Sequence, residues 1–210
     1  MFRILVIHSH NANRGDEAAV KAMVDELLLK YPNAKITISN NGFTPYPNMP
    51  CNVRQISRFP KLESRVAQAE FFLTLITRGR LSFTKETKEF LRALKEADIV
   101  LHAPGGPSIG DTYYNAELLY LLRLDLIRRM GIAYMFYSPS MGPFNDKRRE
   151  KLRKKVLRRA EAVYVRDPIS YKYLKGFVPD VDVKLAMDSA LQHDIDPDQY
   201  KPIYDRYTEL

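Results

Sequence analysis

The chain has 210 residues, of which 45% are hydrophobic and 28% are charged, and this composition excludes disordered and fibrous proteins. Its single cysteine, Cys51, excludes an internal disulfide and a cysteine-based structural zinc site. The net charge of +8 is local, because residues 147–159, here called the basic segment, hold nine Lys or Arg and one Glu and account for all of it.

The sequence contains neither a targeting segment nor a membrane-spanning pattern. No window approaches the roughly 18 uninterrupted apolar residues that a spanning helix needs. Residues 1–8 lead directly into a strand pattern, without a cleavable apolar segment. We therefore expect a cytoplasmic protein.

The first predicted strand covers residues 3–7, whose aliphatic run is typical of a central parallel strand buried on both faces. A polar connection with Asn13, Arg14 and Gly15 follows, and apolar residues recur at helical spacing from Asp16 onward. This helix begins where the strand ends, so its free amides can bind a phosphate or a carboxylate there.

The next elements are less regular. Residues 35–39 alternate as a second strand, whereas the prolines within residues 40–60 predict irregular structure. Residues 62–76 have the composition of a mostly buried helix. Thr84 can cap a further helix that leads to the strand after Asp98.

The central stretch covers residues 99–111. A short aliphatic strand ends at Pro104 and enters a tight loop with Gly105 and Gly106. Glycines let a ligand approach the backbone closely, and Asp111 places a carboxylate at the far end of the loop. A turn that needs glycines only for packing explains the same pattern.

The second half alternates in the same way. The pattern predicts a helix over 113–130, a strand over 132–137, a helix over the basic segment, a strand over 162–165, a helix over 171–174 and a strand over 181–185. Repeated alternation without hairpin patterns predicts an α/β fold, an open parallel Rossmann-like sheet with helices on both faces.

Five polar loops follow the strands and must meet at one edge of this sheet. Ligands bind beyond the carboxyl ends of parallel strands. The loops are residues 11–17, 104–111, 138–143, 166–170 and 188–189. Their convergence is the main prediction for a functional site.

Several common sites are not supported. The glycine spacing fits neither a dinucleotide fingerprint nor a phosphate-binding loop with lysine. His8, His102 and His193 are scattered without metal-ligand spacing, and we interpret His102 as a strand-end residue bonded to backbone. We therefore expect no metal site.

The sequence leaves two charged features with either a structural or a binding role. Arg166 is suited to a carboxylate or phosphate, and with Asp167 it can also fix the turn before Pro168; for Asp167 we favour the structural role. The basic segment can attract an anionic membrane surface. Nucleic acid is disfavoured, because no aromatic residues are interleaved with these charges.

Taken together, the loops resemble the polysaccharide pyruvyl transferase family. The motifs that carry the resemblance are residues 13–18, Gly105-Gly106 with Gly110-Asp111, residues 141–144, residues 165–170 and residues 188–190. Pro107 departs from the family pattern, which usually has a third glycine there.

The resemblance implies transfer of pyruvate from phosphoenolpyruvate to two hydroxyls of a saccharide as a ketal, in cell-surface polysaccharide synthesis and without a further cofactor. The acceptor would be a saccharide unit, commonly lipid-linked. We predict Asp16 and Asp111 as catalytic residues. The predicted substrate-binding residues are Asn13, Arg14, Gly15, Gly105, Gly106, Gly142, Arg166, Ser170 and Asp188.

The resemblance also implies that residues 1–194 form the N-terminal half of a fold similar to GT-B, with residues 195–210 leading to a second domain that this chain lacks. Two alternatives stay open. One is a GT-B glycosyltransferase that uses a nucleotide sugar. The other is a noncatalytic module that binds a partner through the basic segment.

Overall fold

The computed structural model describes residues 1–192 except for residues 12, 42, 43, 61 and 63. The strands are β1 (Arg3–Ser9), β2 (Lys35–Asn40), β3 (Val53–Ser57), β4 (Ile99–His102), β5 (Gly105–Ile109), β6 (Tyr134–Phe136), β7 (Pro139–Met141), β8 (Ala162–Val165) and β9 (Val183–Leu185). The helices are α1 (Arg14–Lys30), α2 (Arg65–Ile76), α3 (Lys85–Glu96), α4 (Tyr114–Arg129), α5 (Glu150–Arg159) and α6 (Pro168–Phe177). His193 and the predicted linker over residues 195–210 lie outside the described residues.

Seven strands form one sheet in the order β3-β2-β1-β4-β6-β8-β9, and every neighbouring pair is parallel. The central strand β1 pairs Ile4 with Ile36 of β2 on one side and with Ile99 of β4 on the other. Strands β5 and β7 form a separate parallel pair. The predicted open parallel sheet is confirmed.

The core lies on both faces of the sheet, as alternating strand side chains require. On one face, Ile4 and Val6 of β1 pack against α1 through Val20 and Met23. On the other face, Leu5 belongs to a larger cluster with buried side chains from α2, α3, α4, α5 and α6. The predicted placement of helices on both faces is therefore confirmed.

Three local predictions were wrong. Residues 40–60 were predicted to be irregular, but they contain the strand β3. The strand can form because no proline lies within residues 53–57, so their backbone is free to pair with β2 at the edge of the sheet. Helix α2 is only partly buried, since Val66, Phe72 and Ile76 are exposed. The loops after β4 and β6 also contain the short strands β5 and β7. The elements that carry the predicted loops are otherwise where the pattern placed them.

Candidate functional site

The first loop places Asp16 at the start of α1. Asn13 caps this helix, because its side-chain oxygen accepts a hydrogen bond from the Asp16 amide at 2.8 Å. The Asn13 side-chain nitrogen donates to the Asp16 carboxylate at 2.7 Å. Asn13 therefore fixes both the helix start and the direction of Asp16.

The second loop reaches Asp16 through Gly105. A Cβ atom on Gly105 would lie 2.7 Å from Asp16 Oδ1, and the residue has φ +130°. Only glycine allows this approach, because other residues rarely adopt such a backbone conformation. The glycine thus has a steric role that joins the first loop to the second.

The second and third loops touch at Gly110 and Gly142. A Cβ on Gly110 would lie 2.6 Å from the Gly142 carbonyl oxygen. The Gly142 amide donates to the Ile109 carbonyl at 2.9 Å, and the Asp111 amide donates to the Pro143 carbonyl at 2.9 Å. Backbone contacts therefore hold these two loops together.

Arg166 joins the third, fourth and fifth loops. Its Nη1 donates to the Asp188 carboxylate at 2.5 Å, and its Nε donates to the Ser140 hydroxyl at 2.9 Å. About a quarter of the Arg166 side chain, 26%, is exposed. A guanidinium held on two sides and open on a third is oriented to receive an anion.

The fifth loop returns to α1, because the buried Ser189 hydroxyl donates to the Ala19 carbonyl at 3.0 Å. Together with the beginning of α1, the five loops therefore form a closed ring of contacts at the carboxyl edge of the sheet. Gly15 lies at the exposed start of α1, and Gly106 lies half-buried beside Tyr113.

Asp111 is bound within the protein. Its carboxylate accepts hydrogen bonds from Arg153 at 2.6 Å and from the amides of Asn145 and Asp146 at 2.6 and 3.2 Å. Burial would raise the pKa of Asp111, but the Arg153 and backbone hydrogen bonds outweigh it and lower the pKa. These contacts favour a positioning role for Asp111 over proton transfer.

Two predicted binding residues have other partners. Ser170 is buried, donates to the Asp167 carboxylate at 2.7 Å and accepts from the Met141 amide at 2.9 Å. Asp167 caps α6, which is the structural role that the sequence favoured, while Arg166 donates to Ser140 and Asp188. Arg14 is 92% exposed and pairs with Glu17 at 3.0 Å.

Most cations of the basic segment are paired with acidic residues, and five of these cations pair with residues outside the segment. Six of its nine cations make ion pairs: Arg148, Arg149, Arg153, Lys154, Lys155 and Arg158. Among the described residues, Lys147, Lys151 and Arg159 have no such partner. The count of charges in the sequence therefore overstates the positive surface.

The sequence analysis missed a polar cluster that includes side chains at the carboxyl ends of β1 and β4. It is here called the histidine cluster and consists of His8, His10, His102, Ser108, Tyr120 and Arg123. The sequence suggested that the histidines are scattered. For His8 and His102 this is wrong, because their ring centroids lie 4.6 Å apart. The His102 Nδ1 lies 2.8 Å from the Ala103 carbonyl, which fits the predicted backbone bond. The Ser108 hydroxyl lies 2.8 Å from the other ring nitrogen.

No group of three or more His, Cys, Asp or Glu side chains could hold a metal ion within the part of the chain that the structure describes. In that same part, no helix is long and apolar enough to cross a membrane.

Comparison with protein families gives a match. Residues 13–209 match the family model described as polysaccharide pyruvyl transferase, which covers nearly the whole chain. No curated protein matches the chain significantly.

Proposed function

This chain belongs to the polysaccharide pyruvyl transferase family, and we propose that it transfers pyruvate from phosphoenolpyruvate to a saccharide acceptor as a ketal. The single observation that carries the proposal is the closed ring of five loops, each with a motif of that family, at the edge of the sheet where α/β proteins bind ligands.

The proposed reaction sets three requirements. C3 of the donor gains a proton, two acceptor oxygens bond to C2, and the bond between C2 and the phosphate oxygen breaks. Of the two protons that the acceptor hydroxyls lose, one balances the proton gained at C3 and the other leaves with phosphate. The site therefore needs a cation or amides for the anionic donor and a group that moves protons.

Arg166 is our candidate for the donor anion, because Ser140 and Asp188 orient its guanidinium while part of it stays open. The N-terminus of α1 can add amides at Gly15. Asp16 is our candidate for proton transfer, since Asn13 aims its half-buried carboxylate at the loop edge. Asp111 then acts as a positioning residue through its contacts with Arg153 and the 145–146 backbone.

We further propose a lipid-linked acceptor and a cytoplasmic location at the inner face of the membrane. The support is Lys147, Lys151 and Arg159, which are exposed cations without an ion-pair partner among the described residues. Anionic lipid attracts such side chains with about 1 kcal/mol each. A GT-B-like arrangement, with a second α/β half over the ring of loops, belongs to the same proposal.

The decisive experiment supplies the protein with phosphoenolpyruvate and a panel of saccharide acceptors. Phosphate release that requires both substrates, with a ketal methyl signal in the product by NMR, supports the proposal. Release of a nucleotide from a nucleotide sugar, with no use of phosphoenolpyruvate, would instead establish the GT-B glycosyltransferase alternative. A binding module would turn over neither donor.

A further inference from the structure

The histidine cluster lies at the topological switch point of the sheet. The strand order places β1 between β2 and β4. The strands that come next in the chain, β2 and β3, lie on one side of β1, and the later strands β4, β6, β8 and β9 lie on the other side. His8 and His10 lie at the carboxyl end of β1, and His102 ends β4. Crevices at such switch points are where open α/β sheets bind ligands.

Two buried side chains of the cluster lack partners that folding normally supplies. Both ring nitrogens of His8 and the Nε of Arg123 have no hydrogen-bond partner, although each residue is only 2% exposed. His8 also has φ +60°, which is uncommon outside glycine. Most buried polar groups are satisfied, so these three atoms need an explanation.

Arg123 is a buried cation without a carboxylate. Its hydrogen bonds are long contacts of 3.4 and 3.5 Å to the Asn41 side-chain oxygen, and no ion pair to it occurs within the described ranges. Burial, opposed by Tyr120, lowers the pKa of Arg123 to about 10, so it remains charged at neutral pH. An unpaired buried charge costs stability unless a ligand compensates it.

The cluster reaches the surface through part of its side chains. His10, its neighbour Asn41 and Tyr120 are half-exposed, whereas His8, His102 and Arg123 are buried. Burial lowers the pKa of His8, His10 and His102, so the three rings are neutral at pH 7 and each has one N–H. The N–H of His102 donates to the Ala103 carbonyl, whereas His8 and His10 can each offer their N–H to a ligand. The side chains of the cluster include one guanidinium and two available N–H donors and no carboxylate, and this set suits an anion better than a cation.

We propose that His8, His10 and Arg123 line a subsite that binds a small oxyanion, the carboxylate or phosphate group of a ligand. His10 directly follows β1, so the subsite lies at the carboxyl edge of the sheet, where the first loop begins. The subsite is distinct from Arg166, since β1 and β8 are three strand steps apart in the sheet, about 14 Å. This inference rests on the proposed function only in taking the ligand to be one of that reaction's anions.

The test is a titration of the protein with inorganic phosphate at pH 7, followed by NMR of the histidine side chains and by calorimetry. We expect saturable shifts of the His8 and His10 signals. Arg123→Leu should weaken phosphate binding at least tenfold without lowering stability, because it removes an unpaired buried charge. The matched control Arg158→Leu, which removes an exposed cation, should change binding less than twofold. A parallel titration with pyruvate shows whether a carboxylate binds instead.

A second variant covers the case in which Arg123→Leu does not fold. His8→Asn keeps a residue that tolerates positive φ and should weaken binding severalfold. Unchanged His8 and His10 signals in the wild type, or full phosphate affinity in a folded Arg123→Leu or His8→Asn, would overturn the subsite. Ketal formation is measured separately. If it is absent while phosphate binding is intact, the proposed function is wrong and the subsite still stands.

Discussion

Arg153 Nη2 lies 2.6 Å from the Asp111 carboxylate, and the same fully buried guanidinium contacts both oxygens of the buried Glu117 at 2.8 Å. It also donates to the Asp146 carbonyl at 2.9 Å. One side chain of α5 thus holds α4 and the loop after β5 in place. The basic segment supports the site from within the protein.

Arg153→Met should destabilise the fold strongly. Removing one partner of a buried ion pair costs about 3–5 kcal/mol. Here the change removes the ion pair with Asp111 and leaves the buried Glu117 with Arg149 as its remaining cation among the described residues. Urea unfolding measures the loss. Arg158→Met, at an exposed pair with Asp180, should cost less than about 1 kcal/mol. Equal losses for the two variants would show that burial does not decide the effect.

Gly110→Ala should separate the second and third loops. The new Cβ would meet the Gly142 carbonyl oxygen, and φ +150° strains any other residue, so we expect a loss on the order of 2 kcal/mol. Gly176→Ala in α6 is the matched control, because its Cβ meets nothing within 4 Å. It should stabilise the helix by about 0.5–1 kcal/mol. A Gly110 variant as stable as the wild type would contradict the close approach.

Asp16→Asn should lower the rate of ketal formation by about 10²- to 10⁴-fold while the fold stays intact, because an amide cannot exchange the proton. Steady-state phosphate release and circular dichroism measure the two effects. The control is Asp182→Asn, which makes the same chemical change at a side chain that is 77% exposed. Asp182 directly precedes β9 and therefore lies at the amino ends of the strands, away from the loops of the site. Similar rates for both variants would remove Asp16 from the proposed mechanism.

Arg166→Lys should raise KM for phosphoenolpyruvate at least tenfold, since lysine lacks the planar fork that Ser140 and Asp188 orient. Donor saturation curves at fixed acceptor measure the change. An unchanged KM would place the donor elsewhere along the edge.

The combined change of Lys147, Lys151 and Arg159 to Ala should weaken binding to vesicles that contain anionic lipid by about 100-fold, at roughly 1 kcal/mol per cation. Cosedimentation at low salt measures the binding. The control changes the exposed cations Lys85, Lys88 and Lys95 of α3 to Ala and alters the net charge equally. If both variants lose binding to the same extent, the basic segment has no special role.

Stability should fall as the pH drops from about 6.5 toward 4. Burial lowers the pKa of His102 to about 4, so the unfolded chain takes up this proton first. The contribution is complete above pH 6.5 and loses roughly 3 kcal/mol by pH 4, and the buried His8 acts in the same direction. Urea unfolding between pH 7 and 4.5 measures the slope. His102→Gln should flatten it, and an unchanged slope would show that His102 is not responsible.

The sequence by itself determined the alternating fold. Aliphatic runs such as residues 4–7 and helical spacing after Asp16 are local patterns, so they predict elements without knowledge of their partners. Because parallel strands all end at the same edge, the order of elements also predicted that the five loops would lie together.

Only the tertiary structure decided which side chains meet. His8 and His102 are far apart in sequence and become neighbours because β1 and β4 pair, and Arg153 finds Asp111 from 42 positions away. Strand β3 was missed because an edge strand between prolines leaves little periodic pattern. Charge pairing and burial arise from long-range contacts that no local spacing encodes. For this reason the sequence predicted a binding surface at the basic segment, most of whose cations are paired within the protein, and did not predict the histidine cluster.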